Sequence, residues 1–284
     1  MKIYIIWFIS IIKFVVGRKR FLLISPPFFK KQFWYDRKSN QTFNIFIRSS
    51  IDWYTNWQVF LEDQFSLSFL TSNLSKSSKE KEVEDYYNQI TKNEYKPLII
   101  DCGSNNGASS IYFSLTYPKA KIISLEIDEG NYLQSLKNIE TNKLVVAVLN
   151  QGVASEDGYG DFIDPGLGNN AYRIEKASGS TGLSLISITS IIKNISYEEK
   201  VIPFLVKIDI EGGEKELFSK NKHWIKDFPV MIAELHDWLL PGQTTSLNFL
   251  KTISEQNRDF VYRGENVFSI SNQFPKIQHP FEKN

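Results

Sequence analysis

A single cysteine, Cys102, stands among 284 residues. One thiol excludes an intramolecular disulfide and any Cys-rich zinc or iron–sulfur site, and it points to a reducing compartment, in expectation the cytoplasm. Charge of one sign is missing too: 33 Lys and Arg face 32 Asp and Glu, a formal net charge of +1. No global field marks the chain as a binder of nucleic acid, which is not expected among its partners. Long hydrophobic runs are absent. Ile3 to Val16, apolar except for Ser10 and Lys13, makes a helix of about 21 Å against the roughly 30 Å of a bilayer core. The cluster Gly17-Arg18-Lys19-Arg20 follows at once, where a secretory signal wants small residues. Two readings stay open for residues 3–20. They form an interfacial helix held against an anionic inner leaflet, or a helix packed on its own domain, which the apolar run Phe21-Leu22-Leu23-Ile24 favours. What is present, 42% hydrophobic and 23% charged residues, suits a conventional core and excludes wholesale disorder.

The length permits one enzyme domain with an extension. Phe28 to Leu70 is dense in aromatics, as packing material usually is. Within it Trp53, Trp57, Phe60 and Leu61 share one helical face, which predicts a helix from an N-cap near Ser50 or Asp52 to about Phe65. Ser72 to Asn93 is polar and reads as a linker and a solvated helix. The expected division is therefore a helical, aromatic-rich extension over 1–93 and a catalytic domain over 94–284. From Pro97 the rhythm changes. Short apolar runs end in Asp101, Glu126, Asn150, Asp209 and Glu234, with helices expected over 108–116 and 131–142. This is the βαβ pattern of a Rossmann-like, doubly wound, mostly parallel sheet. Gly158 to Ile188 reads as an inserted antiparallel segment. Residues 260–263 and 267–270 read as a terminal antiparallel hairpin.

The segment Asp101-Cys102-Gly103-Ser104-Asn105-Asn106-Gly107 joins a buried strand to a helix. Glycines at 103 and 107 suit a sharp turn and a ligand that approaches the backbone closely, and cofactors bind at such turns in open α/β sheets. The G-x-G-x-x-G of a dinucleotide fold is missing, which disfavours a nicotinamide-dependent oxidoreductase. Asp101, at the strand end, suits an ammonium better than a pyrophosphate. Glu126, nineteen residues after Gly107, can accept from both hydroxyls of a ribose. An amino-acid-bearing nucleoside fits the pair, and S-adenosylmethionine is one.

Residues 99–107 resemble the D-x-G-x-N-x-G loop of FkbM-type S-adenosylmethionine-dependent methyltransferases. Leu205 to Glu214 is similar to that family's K-I-D-x-E-G-x-E signature, and Glu234-Leu235-His236 to its E-x-H strand end. The resemblance runs from about Ser50 to Asn266. Ile127 departs from the family's usual proline, and Gly213 from its commoner alanine. The resemblance implies a cofactor site made of Asp101, Gly103, Ser104, Asn105, Gly107 and Glu126, with Asn150, Gln151 and the loop to Val153 over the adenine. It also implies the acceptor class, a hydroxyl of a sugar, glycolipid or similar metabolite.

Asp209, Glu211 and Glu214 crowd one strand end. Acids feeding a helix start explain Glu214 and Glu211 as dipole complements or as substrate contacts. Asp209 is expected to face the transferable methyl. His236 is one of three histidines and stands beside Glu234. Methyl transfer to a hydroxyl needs in-line placement and a proton acceptor, and an imidazole near neutrality is a suitable base. The competing reading makes Asp209, Glu234 and His236 ligands of a divalent cation, magnesium or manganese. A non-catalytic nucleotide-binding or scaffold module is the alternative from another class.

Overall fold

The computed structural model describes residues 2–70, 78–163, 173–176 and 182–277. The chain opens with α1 (Lys2–Val15), then three antiparallel strands β1 (Phe21–Leu23), β2 (Lys31–Asp36) and β3 (Gln41–Phe46). Next come α2 (Ser50–Asn56), running into a π turn over Trp57–Leu61, and α3 (Lys79–Lys92). The βαβ part follows: β4 (Lys96–Cys102), α4 (Ala108–Thr116), β5 (Lys121–Leu125), α5 (Glu129–Thr141) and β6 (Val146–Leu149). A second small sheet is built from β7 (Gly152–Ala154), β8 (Gly158–Ile163), β9 (Arg173–Lys176) and β10 (Leu183–Ser187). The rest is α6 (Ile188–Glu198), β11 (Val201–Ile208), α7 (Glu214–Leu217), β12 (Val230–Glu234), α8 (Leu247–Ser254), β13 (Arg258–Arg263) and β14 (Asn266–Ser271).

The main sheet has seven strands in the order β6-β5-β4-β11-β12-β14-β13. Pairings from β6 through β12 are parallel, and β14 enters antiparallel between β12 and β13. This is a Rossmann-like, doubly wound, mostly parallel sheet with an antiparallel hairpin at one edge. Chain order reverses between β4 and β11, so the crevice beyond their carboxyl ends is the ligand position of such a sheet. Side chains of β4 alternate between two cores. Ile99 faces one, while Leu98, Ile100 and Cys102 face the other, as a strand covered on both faces requires.

The sequence reading takes the N-terminal extension as helical, yet the structure puts a three-stranded sheet at residues 21–46. Its alternation is inverted. In β2 the polar Gln32 and Asp36 point inward with Trp34, and Phe33 points out. Asp36 is admitted to the interior because Arg20 holds both its oxygens at 2.8 Å, the bidentate geometry that makes such burial tolerable. The edge of β3 is closed by α5: Asn138 and Asn142, one turn apart, each accept a backbone N–H of β3 at 2.8 Å. Phe21, Trp34, Phe43 and Phe60 pack into the same core as Ile99 and Ile111. The helix expected from Ser50 to Phe65 begins one residue earlier, with Ser49 as N-cap, and leaves the α conformation after Asn56. Among the described residues no helix is long and apolar enough to cross a membrane.

Candidate active site

At the end of β4 the chain turns into α4 through Gly103 and Gly107, with φ of 77° and 84°. A Cβ on Gly103 would lie 1.8 Å from the Asp209 carbonyl oxygen, so only glycine lets this loop pass the end of β11. A Cβ on Gly107 would meet the Ser135 hydroxyl of α5 at 2.7 Å. Asn105, between them, also has a positive φ of 49°, which asparagine tolerates better than most side chains. Its N–H donates to Glu126 Oε2 at 2.7 Å, and that of Asp128 donates to Oε1 at 3.0 Å. Each oxygen of Glu126 keeps a lone pair for a further donor. Burial raises the Glu126 pKa, against the pull of these N–H groups and Lys207.

Asp101 is fully buried. Its Oδ2 accepts from Ser109 and Ser110 at 2.6 Å each, tying β4 to the start of α4, and its Oδ1 lies 3.4 Å from Lys207 Nζ. Ser104 is buried in the loop, and its hydroxyl finds no partner among the described residues. Asn150 donates to the carbonyls of Glu126 and Ile127 at 2.9 and 3.1 Å, and Gln151 to Ser184 Oγ at 2.8 Å. Only these two residues of the 150–153 stretch are loop, because Gly152 and Val153 belong to β7 and Val153 is buried.

Lys207, in the buried strand β11, received no role from the sequence, although a lysine among Leu205, Val206 and Ile208 is the signal of a paired interior charge. Its ammonium donates to the Gly103 carbonyl at 2.6 Å and lies 3.2 Å from Asp209 Oδ2. Burial disfavours its charge, but Asp209 and Asp101 outweigh that, so its pKa sits above the ordinary lysine value.

His236 is buried two residues beyond β12. Its Nδ1 donates to Glu214 Oε1 at 2.7 Å, and its Nε2 lies 3.6 Å from an oxygen of each of Asp209, Glu211 and Glu234. The sequence reading expects an imidazole near neutrality. Burial lowers its pKa, but the Glu214 hydrogen bond and the surrounding carboxylates raise it further, to about 10. Glu211 is pushed up to about 7 and Glu234 to about 8, each first by burial and then by Asp209. Glu214 is thus more than a helix-start acid: fully buried, it fixes which imidazole nitrogen faces the site.

The shifts share one sign. A histidine pKa raised from 6.5 to about 10 stabilises the fold below pH 6.5, and that contribution is lost as pH rises through about 10. Glu211 and Glu234 keep their protons longer in the fold than in the unfolded chain, so ionising them also costs stability as pH rises. The unfolding midpoint of chelator-treated protein is expected to fall steadily from about pH 5 to about pH 10, and Glu234→Gln to flatten the curve near its middle. A midpoint that rises over this range contradicts the geometry.

No family model matches the chain. A hexuronic acid methyltransferase of Haloferax volcanii, AglP, is 24% identical over 170 residues, which cover 58% of this chain and 69% of that protein. An O-methyltransferase from Bacillus cereus in complex with SAH aligns at 13% identity over 80% of this chain and 92% of that one, with a TM-score of 0.40. The N-terminal domain of human METTL16, also with SAH, aligns at 13% identity over 68% of each chain, with a TM-score of 0.37. The fold class rests on the strand order, not on these likenesses.

Proposed function

We propose that the protein is an S-adenosylmethionine-dependent O-methyltransferase of FkbM type that methylates a hydroxyl of a sugar or glycolipid. The observation that carries the reading is the pairing, at the carboxyl ends of β4, β5, β11 and β12, of a glycine-shaped loop with a buried carboxylate on one side and a histidine ringed by acids on the other. The 24% identity with a hexuronic acid methyltransferase supports the sugar acceptor. A non-catalytic scaffold would need neither the buried His236–Glu214 pair nor the acids around it.

The residues present fit the cofactor. Glu126 has lone pairs for the two ribose hydroxyls, and the unpartnered Ser104 hydroxyl is a donor for a carboxylate. Bound there, S-adenosylmethionine supplies a methyl carbon made electrophilic by its sulfonium. The backbone of 103–107 positions it, and Asn150 fixes the Glu126–Ile127 backbone at the edge of the site. Asp101 acts through Ser109, Ser110 and Lys207 rather than at the ligand. Asp209, paired with Lys207 and half open to the crevice, orients the acceptor. The acceptor hydroxyl gives its proton to the His236–Glu234–Asp209 cluster, in which Glu234, its pKa raised to about 8, becomes proton-accepting toward pH 8 while His236, raised to about 10, keeps its proton.

One observation favours a second reading. His236 Nε2 is equidistant from three carboxylates, and the ligand atoms of Asp209, Glu234 and His236 lie within 4.8 Å of one another. These three residues fit a divalent cation, with Glu214 as the carboxylate behind the histidine. A cation there would hold the acceptor oxygen and acidify its hydroxyl.

Glu126→Ala is expected to weaken S-adenosylhomocysteine binding by about 1.5–3 kcal/mol, the worth of charged hydrogen bonds. Titration calorimetry decides this, and an unchanged dissociation constant removes Glu126 from the ribose.

A further inference from the structure

Charge is balanced over the whole chain but not along it. Nine of the first 47 residues are Lys or Arg and one, Asp36, is acidic, which leaves 24 basic side chains against 31 acidic ones beyond residue 47. The single acid is internal, held by Arg20, so the charged side chains that this N-terminal part turns outward are all basic.

The same part carries an open apolar face. One side of α1 is docked: the Trp7 indole N–H donates to the Leu23 carbonyl at 2.8 Å, Ser10 is buried, and Phe14 is buried beneath the Arg37 guanidinium. The other side is uncovered. Ile5, Phe8, Ile12 and Val15, three or four residues apart on one helical face, are 49–73% exposed. The turn before β2 adds Phe28 and Phe29, 55% and 57% exposed. The Phe28 ring meets Tyr4 edge-on at 5.4 Å, so the turn and the start of α1 form one surface. Lys13, Arg18 and Lys30 are exposed around it. Pairing of Lys31 with Phe46, whose carbonyl accepts from Gln134 and Asn138, sets the turn toward the end of α5 where Arg48 reaches Asn131. That is the end of the sheet holding the Glu126 loop.

We propose that this face, α1 together with the Phe28-Phe29 tip, seats the protein on an anionic lipid bilayer. A contiguous apolar surface rimmed by cations, on a helix too short to span, has the chemistry of an interfacial anchor: side chains enter the acyl boundary while Lys and Arg meet the headgroups. A second copy of the chain would bring a like-charged face against this one, whereas an anionic membrane is complementary to it. The inference needs no part of the methyl-transfer reading.

The test is sedimentation of the full-length protein with vesicles of phosphatidylcholine alone or with about one-third phosphatidylglycerol. The parent is expected to sediment with the anionic vesicles, and to bind about tenfold or more weakly to the neutral ones or in high salt. Phe28→Ser/Phe29→Ser and Phe8→Ser/Ile12→Ser should each weaken binding by about tenfold or more, with the thermal unfolding midpoint kept because these side chains touch solvent. Lys13→Glu/Arg18→Glu, which removes no apolar surface, should do the same. A parent that stays in the supernatant overturns the proposal, as does equal binding by parent and variants. Sedimentation equilibrium adds one further outcome: a parent dimer that the serine variants make monomeric shows an interface between copies and overturns the bilayer.

Discussion

His236→Gln should lower turnover by about 10²–10⁴-fold while S-adenosylhomocysteine affinity is nearly unchanged. The asymmetry follows from position. His236 bonds Glu214 and faces Asp209, Glu211 and Glu234, whereas the loop 103–107 and Glu126 are held by their own hydrogen bonds. Losing the imidazolium sets these acids against one another without a cation between them. A response to chelator separates the two chemistries. If the cluster works as a base, excess chelator leaves the parent active, its rate climbs toward pH 8 as Glu234 gives up its proton, and the deficit of the variant shrinks at high pH. If Asp209, Glu234 and His236 hold a cation, chelator removes activity, magnesium or manganese restores it, and Asp209→Asn raises the metal requirement. Turnover of His236→Gln close to that of the parent would sink both.

Lys207→Met is the substitution with the largest expected cost in stability, about 3–5 kcal/mol. The volume is kept, so packing is not the cause. Asp101 is fully buried and would lose the one cation paired with it among the described residues, the Gly103 carbonyl would lose its donor, and Asp209 would lose the partner that sets its direction. Urea unfolding measures the loss. Adding Asp101→Asn to the variant should recover part of it, because a neutral amide no longer needs a counter-charge. A midpoint equal to that of the parent would mean that the ammonium does not hold the two strand ends together. The same variant should bind S-adenosylhomocysteine poorly, since Lys207 fixes the carbonyl at the first residue of the loop.

Much of the βαβ part was legible because its signal is local. Buried runs such as Leu98-Ile99-Ile100, each ending in an acid or amide, mark strands whatever surrounds them, and α4 falls on the expected 108–116. Glu126 is visible as an acid that ends a buried run, but that it accepts the Asn105 and Asp128 N–H groups is not. The N-terminal sheet was hidden for the opposite reason. With Gln32 and Asp36 inside and Phe33 outside, polarity no longer reports the face, and the distant partners Arg20 and Asn56, which donates to Gln32 Oε1, help make the inversion stable together with nearer groups such as Trp34 and the Lys38 N–H.

By itself, then, the sequence determined the parallel sheet, the glycine-shaped turn after β4 and the presence of acids and one histidine at the strand ends, because each depends on residues next to it in the chain. Tertiary structure alone decided what those groups are to one another. Asp101 turns inward to Ser109, Ser110 and Lys207, and Glu214 becomes the partner of His236. A pKa is a property of the charges that surround a group, and the carboxylates that lift His236 to about 10, Glu214, Asp209 and Glu211, belong to the stretch after β11 and are brought within 3.6 Å of it only by the pairing of β11 with β12 and the turn into α7.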